Sequence, residues 1–168
     1  MKFLPYDDIE IYSPLSPAQI QSILEQEVTK QKPFGFGFKS SASDPYFYGF
    51  TGNHQFKLHR NISYRNSFLP TITGSISNDL SGSKIVAKMR LTTFVLIFIS
   101  FWLTGVLTAC IFMTTKSVSE GNYGAEILVP FGMLLFGYGL SMGAFHYEAR
   151  KAKEKLLELL KGTSQRPY

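Results

Sequence analysis

Residues 83–115 have the sequence SKIVAKMRLTTFVLIFISFWLTGVLTACIFMTT, in which an alternating segment runs directly into 25 residues without a charged side chain. A helix that crosses a bilayer needs about 20 mainly apolar residues, because the hydrocarbon core is about 30 Å thick and a helix rises 1.5 Å per residue. The uncharged run, residues 91–115, satisfies that length. The stretch therefore predicts a strand that leads without a linker into a membrane-spanning helix.

A second uncharged run covers residues 127–147, and charged residues make up only 17% of the whole chain. A typical soluble domain has about 25%. The eleven residues between the two runs, 116–126, predict an antiparallel hairpin of two spans. An ordinary soluble globule is excluded by these runs, and the single cysteine excludes a disulfide-built secreted domain.

The basic residues that flank the runs predict the orientation of the hairpin. Lys and Arg are enriched in cytoplasmic segments next to spans. Here they precede the first run and follow the second, whereas the loop carries Lys116 opposed by Glu120 and Glu126. We therefore expect both termini in the cytoplasm, and lipid headgroup contact for Lys84, Lys88, Arg90, Arg150, Lys151, Lys153 and Lys155.

Residues 1–90 are predicted to form a cytoplasmic α+β domain. Ser16 is a suitable helix N-cap, Pro17 fits the first helical position, and Gln19 can complete a capping box. The helix is expected to include Val28 and to end before Pro33. The acidic residues of the first ten positions are expected to be solvated.

Alternating segments after that helix predict strands at residues 34–38, 46–50, 55–62, 71–77 and 83–90. Residues 51–54 and 78–82 predict the turns of two β-hairpins between neighbouring strands. The fold class expected is a small antiparallel sheet of five or six strands with one N-terminal helix, followed by the two-helix hairpin and an amphipathic C-terminal helix. Residues 148–168 form that basic tail, whose leucine stripe is expected to dock on its own domain or on the bilayer rather than on a partner.

Small residues mark one face of each predicted span. Gly105 and Ala109 lie four positions apart in the first span, and Gly139 and Gly143 in the second, which also contains Gly132 and Gly137. Small residues allow helices in lipid to approach closely. Packing within the hairpin is the favoured interpretation, and the alternative is a protein partner or a second copy of the chain.

The residues that catalysis would need are sparse. With three histidines and one cysteine, the sequence contains no cluster with metal-ligand spacing, and we expect no cofactor. A Gly-x-Ser-x-Gly pattern at 139–143 lies inside the second span, where the strand-to-helix turn of a nucleophile elbow does not fit. An enzyme is therefore not expected. The modest basic excess also argues against nucleic-acid binding.

The densest polar stretch is RNISYRN, residues 60–66. Its guanidinium groups could bind a phosphate or carboxylate through a bidentate fork. The candidate ligand contacts are Arg60, Asn61, Tyr64, Arg65 and Asn66. The favoured alternative is that these side chains tie the end of a strand to the loop that follows it.

Several short segments carry a family resemblance. They are YFYG at 46–49, FKL at 56–58, RNISYRNSFLP at 60–70, GSKI at 82–85, MRL at 89–91, PFGM at 130–133 and FGYG at 136–139. The chain resembles a family of uncharacterised bacterial two-span inner-membrane proteins with an N-terminal cytoplasmic α+β domain. This resemblance implies the bacterial inner membrane as its location and implies no activity.

Two functions are compatible with these features. The first is a non-enzymatic adaptor or accessory subunit that acts through the cytoplasmic domain and the spans. The alternative is a membrane-anchored module that binds a lipid or a small amphiphile.

Overall fold

The computed structural model describes residues 4–30, 45–62, 64, 66–121 and 124–164. The elements are β1 (Tyr6–Ser13), α1 (Pro17–Glu27), β2 (Val28–Lys30), β3 (Phe47–Gly52), β4 (Gln55–Arg60), β5 (Thr71–Asp79), β6 (Gly82–Arg90), α2 (Thr93–Glu120), a 3-10 turn (Ala125–Ile127) and α3 (Leu128–Leu159). The strands form one sheet in the order β1-β6-β5-β4-β3-β2, antiparallel except between β2 and β3. The predicted α+β fold class is confirmed.

The helix α1 begins at the predicted capping box. Ser16 Oγ accepts a hydrogen bond from the Gln19 backbone N–H at 3.3 Å, and the Ser16 N–H donates to Gln19 Oε1 at 2.9 Å. The helix ends at Glu27, earlier than predicted, and Val28 is extended and pairs with Phe47. Pairing with β3 stabilises the extended backbone of this β-branched residue. The strand predicted at residues 34–38 lies outside the described residues.

The first strand, β1, was not predicted. It pairs antiparallel with β6 from Tyr6↔Arg90 to Ser13↔Ser83, so the acidic N-terminal run forms an edge strand of the sheet. Its alternation is obscured because a charged residue, Asp7, occupies an inward position. Asp7 Oδ2 forms an ion pair with Lys153 Nζ of α3 at 2.6 Å. Because the lysine neutralises the carboxylate, this charged residue can lie on the inward face of the sheet.

The predicted hairpins are confirmed. Asn53 and His54, with φ of 51° and 57°, connect β3 to β4 in the left-handed region that two-residue hairpin turns require. In β6, Ile85, Ala87 and Met89 are buried, as the alternation predicts.

The core lies on one face of the sheet, beneath α1 and the C-terminal part of α3. Ile20 and Leu24 of α1 are fully buried there, together with Phe145, Ala149, Ala152, Leu156 and Leu160 of the α3 segment. Docking of the tail on its own domain is thus observed. α3 continues through residues 147 and 148 without a break, so the tail and the second apolar run are one helix.

Two helical stretches, Thr93–Glu120 and Ala125–Leu159, are long and apolar enough to cross a membrane, with mean hydropathies of 2.4 and 1.7. Only 11% of each apolar window is buried. Val106 and Cys110 are the buried residues of α2.

Close packing between α2 and α3 occurs at Gly137, where an added Cβ would overlap the Trp102 ring. By contrast, an added Cβ at Gly105, Gly139 or Gly143 would have no atom within 4 Å. Ala109 is likewise exposed. Packing within the hairpin, the favoured interpretation, therefore occurs at Gly137 and is wrong for Gly105, Ala109, Gly139 and Gly143, which lie on the outer surfaces of the two helices. Contact with another helix stays a prediction.

Gly74 in β5 provides a test of sheet packing. It lies opposite Phe56 of β4, and an added Cβ would overlap the Phe56 ring, which is 3% exposed. We expect Gly74→Ala to lower the free energy of unfolding by about 1–3 kcal/mol through overpacking. Thermal unfolding of the full chain, followed by circular dichroism, measures the effect. Ser75→Ala, on the exposed face next to it, is the control, and equal stabilities of the two variants would contradict the prediction.

Candidate functional site

A buried ion pair joins the end of β4 to the middle of α3. Arg60, the last residue of β4, is 6% exposed, and Glu148 of α3 is 1% exposed. Arg60 Nη1 donates a hydrogen bond to Glu148 Oε2. Glu148 is the first charged residue after the second apolar run, so the pair lies where that run meets the sheet domain.

The loop after β4 supplies two more donors to the same carboxylate. The Tyr64 hydroxyl donates to Glu148 Oε1, and Asn66 Nδ2 donates to the same oxygen at 3.1 Å. Asn66 Oδ1 also accepts from the Phe68 backbone N–H at 2.9 Å, which shapes the loop around the carboxylate. We call Arg60, Tyr64, Asn66 and Glu148 the junction cluster.

Aromatic and backbone contacts hold Arg60 in place. Its guanidinium carbon lies 4.9 Å from the centre of the Tyr46 ring, within the range of a cation–π interaction. Asn61 is directed elsewhere, since its backbone N–H donates to Tyr46 O at 2.8 Å and its amide to Pro45 O at 3.3 Å. Arg60 Nε is buried without a hydrogen-bond partner among the described residues.

The protonation of Tyr64 suits its role as a donor. Partial burial and the hydrogen bond to Glu148 raise the pKa of the Tyr64 hydroxyl above its ordinary value. The hydroxyl therefore stays protonated at neutral pH and donates to the carboxylate.

Of the five predicted ligand contacts, the structure brings Arg60, Tyr64 and Asn66 together, and they surround a carboxylate of the protein itself. Asn61 ties the strand end to the backbone, and Arg65 lies outside the described residues. Binding of an external anion stays a prediction. With three donors on its two oxygens, Glu148 acts as a clamp between the loop and α3.

Glu148 was not among the site residues predicted from the sequence, where it served only to mark the end of the second apolar run. A signal was present in the helical spacing. Glu148 shares a face with Phe145 and Ala152, three residues before it and four after it, and both are fully buried. A carboxylate on a buried face needs donors, and the polar stretch at 60–66 supplies them.

The residues predicted to contact headgroups differ in their surroundings. Lys84 pairs with Glu10 at 2.9 Å, Lys153 with Asp7 at 2.6 Å and Lys155 with Glu158 at 3.0 Å. The Arg90 guanidinium lies over Tyr6 and the Lys151 amine over Tyr147. Lys88 and Arg150 are exposed. Carboxylate partners within the domain thus reduce the charge that Lys84 and Lys153 can offer, and headgroup contact of the set stays a prediction.

Among the described residues, no group of histidine, cysteine and carboxylate side chains could hold a metal ion. An apolar groove of about 440 Å³ lies between the two long helices. It is lined by Leu103, Thr104, Leu107, Leu134, Leu135 and Tyr138.

Comparison of the chain with known proteins found no matching family model, no matching curated protein and no matching solved structure.

The junction cluster predicts a large effect of removing Glu148. Glu148→Ala leaves the Arg60 guanidinium buried without its counterion, and we expect a loss of about 3–5 kcal/mol in the free energy of unfolding. The double variant Arg60→Met, Glu148→Leu removes both charges and should be closer to the wild type. Thermal unfolding of the full chain measures both. Arg150→Ala, exposed on the same helix, is the control, and a Glu148→Ala variant as stable as this control would contradict the clamp.

Proposed function

We propose that the chain is an integral protein of the bacterial inner membrane that acts as a non-enzymatic adaptor or accessory subunit. The observation that carries this proposal is the continuity of α3. One unbroken helix has an apolar, exposed N-terminal half and a C-terminal half that contributes Phe145, Ala149 and Leu156 to the core of the sheet domain. Because the apolar span and the helix in the domain core are one continuous helix, the orientation of the domain relative to the span is set.

The exposed surface of the hairpin supports membrane insertion. Contiguous apolar patches on soluble monomers rarely exceed a few hundred Å². Along α2 and α3, large apolar side chains lie exposed on several sides, and they include Phe94, Phe98, Phe101, Ile111, Phe112, Leu135, Phe136 and Leu140. A bilayer covers such a surface without any further protein contact.

Both ends of the described chain lie on the same side of the hairpin. Tyr12 and Thr163 exchange two backbone hydrogen bonds of 2.9 Å, so the N-terminal strand and the end of the chain meet in one domain. The excess of Lys and Arg on this side, relative to the loop between the helices, favours the cytoplasm as its location.

The two connections between the hairpin and the domain are both stiff. β6 ends at Arg90 and α2 begins at Thr93, with Leu91 buried between them. The second connection is α3 itself, clamped through the junction cluster. Two stiff connections keep the domain at a set angle to the hairpin. This arrangement suits a subunit that presents a surface of its cytoplasmic domain to other proteins.

The core packing favours an adaptor over the alternative, a module that binds an amphiphile between the sheet and the bilayer. α1 and the C-terminal part of α3 cover the buried face of the sheet, and Ile72, Ile85 and Leu58 in its centre are fully buried. Side chains of the chain thus occupy the space that such a ligand needs.

The topology can be tested by cysteine labelling. Cys110 is the only cysteine of the chain, so Cys110→Ser provides a cysteine-free background. In that background Ser119→Cys, near the end of α2, should react with an impermeant maleimide in intact spheroplasts. Ser81→Cys and Ser164→Cys, both exposed in the domain, should react only after lysis. The opposite pattern would contradict the orientation, and release of the protein by alkaline carbonate would contradict insertion.

The adaptor role can be tested by native mass spectrometry of the full chain after gentle extraction from its own membrane. We expect a complex of defined stoichiometry with another polypeptide. A monomer or homo-oligomer with no other polypeptide bound would contradict the adaptor role. A retained amphiphile other than a membrane phospholipid would then support the alternative.

A further inference from the structure

The face of the sheet opposite the core is exposed, and strand register arranges its side chains in rows. One row contains Arg90, Thr71 and His59, which are Cα partners across β6, β5 and β4. The next row contains Lys88, Thr73 and Lys57 on the same strands. Both rows continue onto the outer strands, the first with Tyr6 and Tyr48 and the second with Asp8 and Phe50.

The two rows form a basic surface around threonine hydroxyls. Lys57 and Lys88 flank Thr73 from the neighbouring strands, so their Cα atoms lie about 10 Å apart. Lys57, Lys88, Arg90 and Thr73 are exposed. Three cations and one acidic residue, Asp8, occupy these rows, and this charge balance suits an anion. We call Lys57, Thr71, Thr73, Lys88 and Arg90 the basic patch.

The patch lies at the end of the sheet that adjoins α2. Arg90 is three residues before the start of α2, and Lys88 is a further two residues back, about 7 Å along the strand. The headgroup layer on each side of a bilayer is about 5–8 Å thick. Lys84 lies on the same face of β6 but about 20 Å from Arg90 along the strand, and it is paired with Glu10.

We propose that the basic patch binds the phosphate headgroup of an anionic phospholipid of the cytoplasmic leaflet. The inference rests on the membrane location proposed above. Lys57 and Lys88 contact the phosphate as point charges, Arg90 offers its guanidinium fork, and Thr71 donates a hydroxyl hydrogen bond. The Thr73 hydroxyl lies between the two lysines and donates to Lys88 O at 3.5 Å. Tyr6 and Tyr48 flank the patch as amphipathic rings typical of membrane interfaces.

His59 adds a neutral donor next to the patch. Its ring stacks on Tyr48 at 5.3 Å between centroids. Burial, and then the charge of Lys57, lower the pKa of His59, so the imidazole is neutral at pH 7. It therefore does not add to the repulsion among the three cations.

The test uses the full chain purified in a neutral detergent and titrated with phosphatidylglycerol, with retained lipid counted by native mass spectrometry. Each basic residue near anionic lipid contributes about 1 kcal/mol, so Lys88→Gln and Lys57→Gln should each weaken retention about fivefold at low salt. The comparison variant is Lys84→Gln, which removes the same charge from the same strand and face. Because Lys84 is paired with Glu10 and lies about 20 Å from Arg90 along the strand, its loss of retention should be smaller than that of Lys88→Gln. Phosphatidylcholine should be retained more weakly than phosphatidylglycerol by the wild type.

Equal losses in Lys88→Gln and Lys84→Gln, or no loss in either, would overturn the patch. Displacement of the lipid by soluble glycerol phosphate at comparable concentration would show a free-phosphate site and would overturn the lipid assignment. Alkaline carbonate extraction of the same variants reports separately on insertion, so failure of the membrane location is distinguished from failure of the patch.

Discussion

The contact between Arg60 and Glu148 is the interaction on which the arrangement of this protein depends. It joins the last residue of a central strand to a helix 88 positions later in the chain. Both side chains are buried, so neither charge can return to water without separating the helix from the sheet. The loop donors Tyr64 and Asn66 complete the partners of the carboxylate. The face that α3 presents to the sheet is therefore specified by one carboxylate.

This specification matters because the neighbouring contacts of α3 are apolar, and the hydrophobic effect is non-directional. They are made by Ala149, Ala152, Leu156 and Leu160, which are fully buried. A charged pair with several directional hydrogen bonds has no second position of equal energy. Since the same helix continues into the apolar hairpin, its position on the sheet also sets the angle between the domain and the hairpin. The orientation of the exposed sheet face follows from that angle.

Local elements of the fold were predictable where the signals were local. The capping box at Ser16 and Gln19, the turn at residues 51–54 and the alternation in β6 each depend on a few consecutive residues. Two predictions failed where distant partners decide. Val28 leaves the helix because Phe47 offers a strand to pair with. The acidic N-terminal run pairs with β6, and the expectation that it is solvated is wrong for Asp7, which pairs with Lys153, whereas Asp8 and Glu10 are exposed. The packing predicted for Gly105, Gly139 and Gly143 was wrong for the same reason. Helical spacing shows that small residues share a face, but it does not identify the helix that this face contacts.

The sequence by itself determined the two long apolar helices, the α+β class and the polar stretch that borders the site. These features follow from composition and periodicity, because apolar burial is non-directional and scales with area, so the spacing of apolar residues along the chain already indicates which face of an element is buried. Only the tertiary structure decided what that polar stretch binds within the chain and which basic residues share a row. Hydrogen bonds and ion pairs act over a few ångströms between residues far apart in sequence. Their partners are therefore fixed by strand register and by the docking of α3, and not by spacing along the chain.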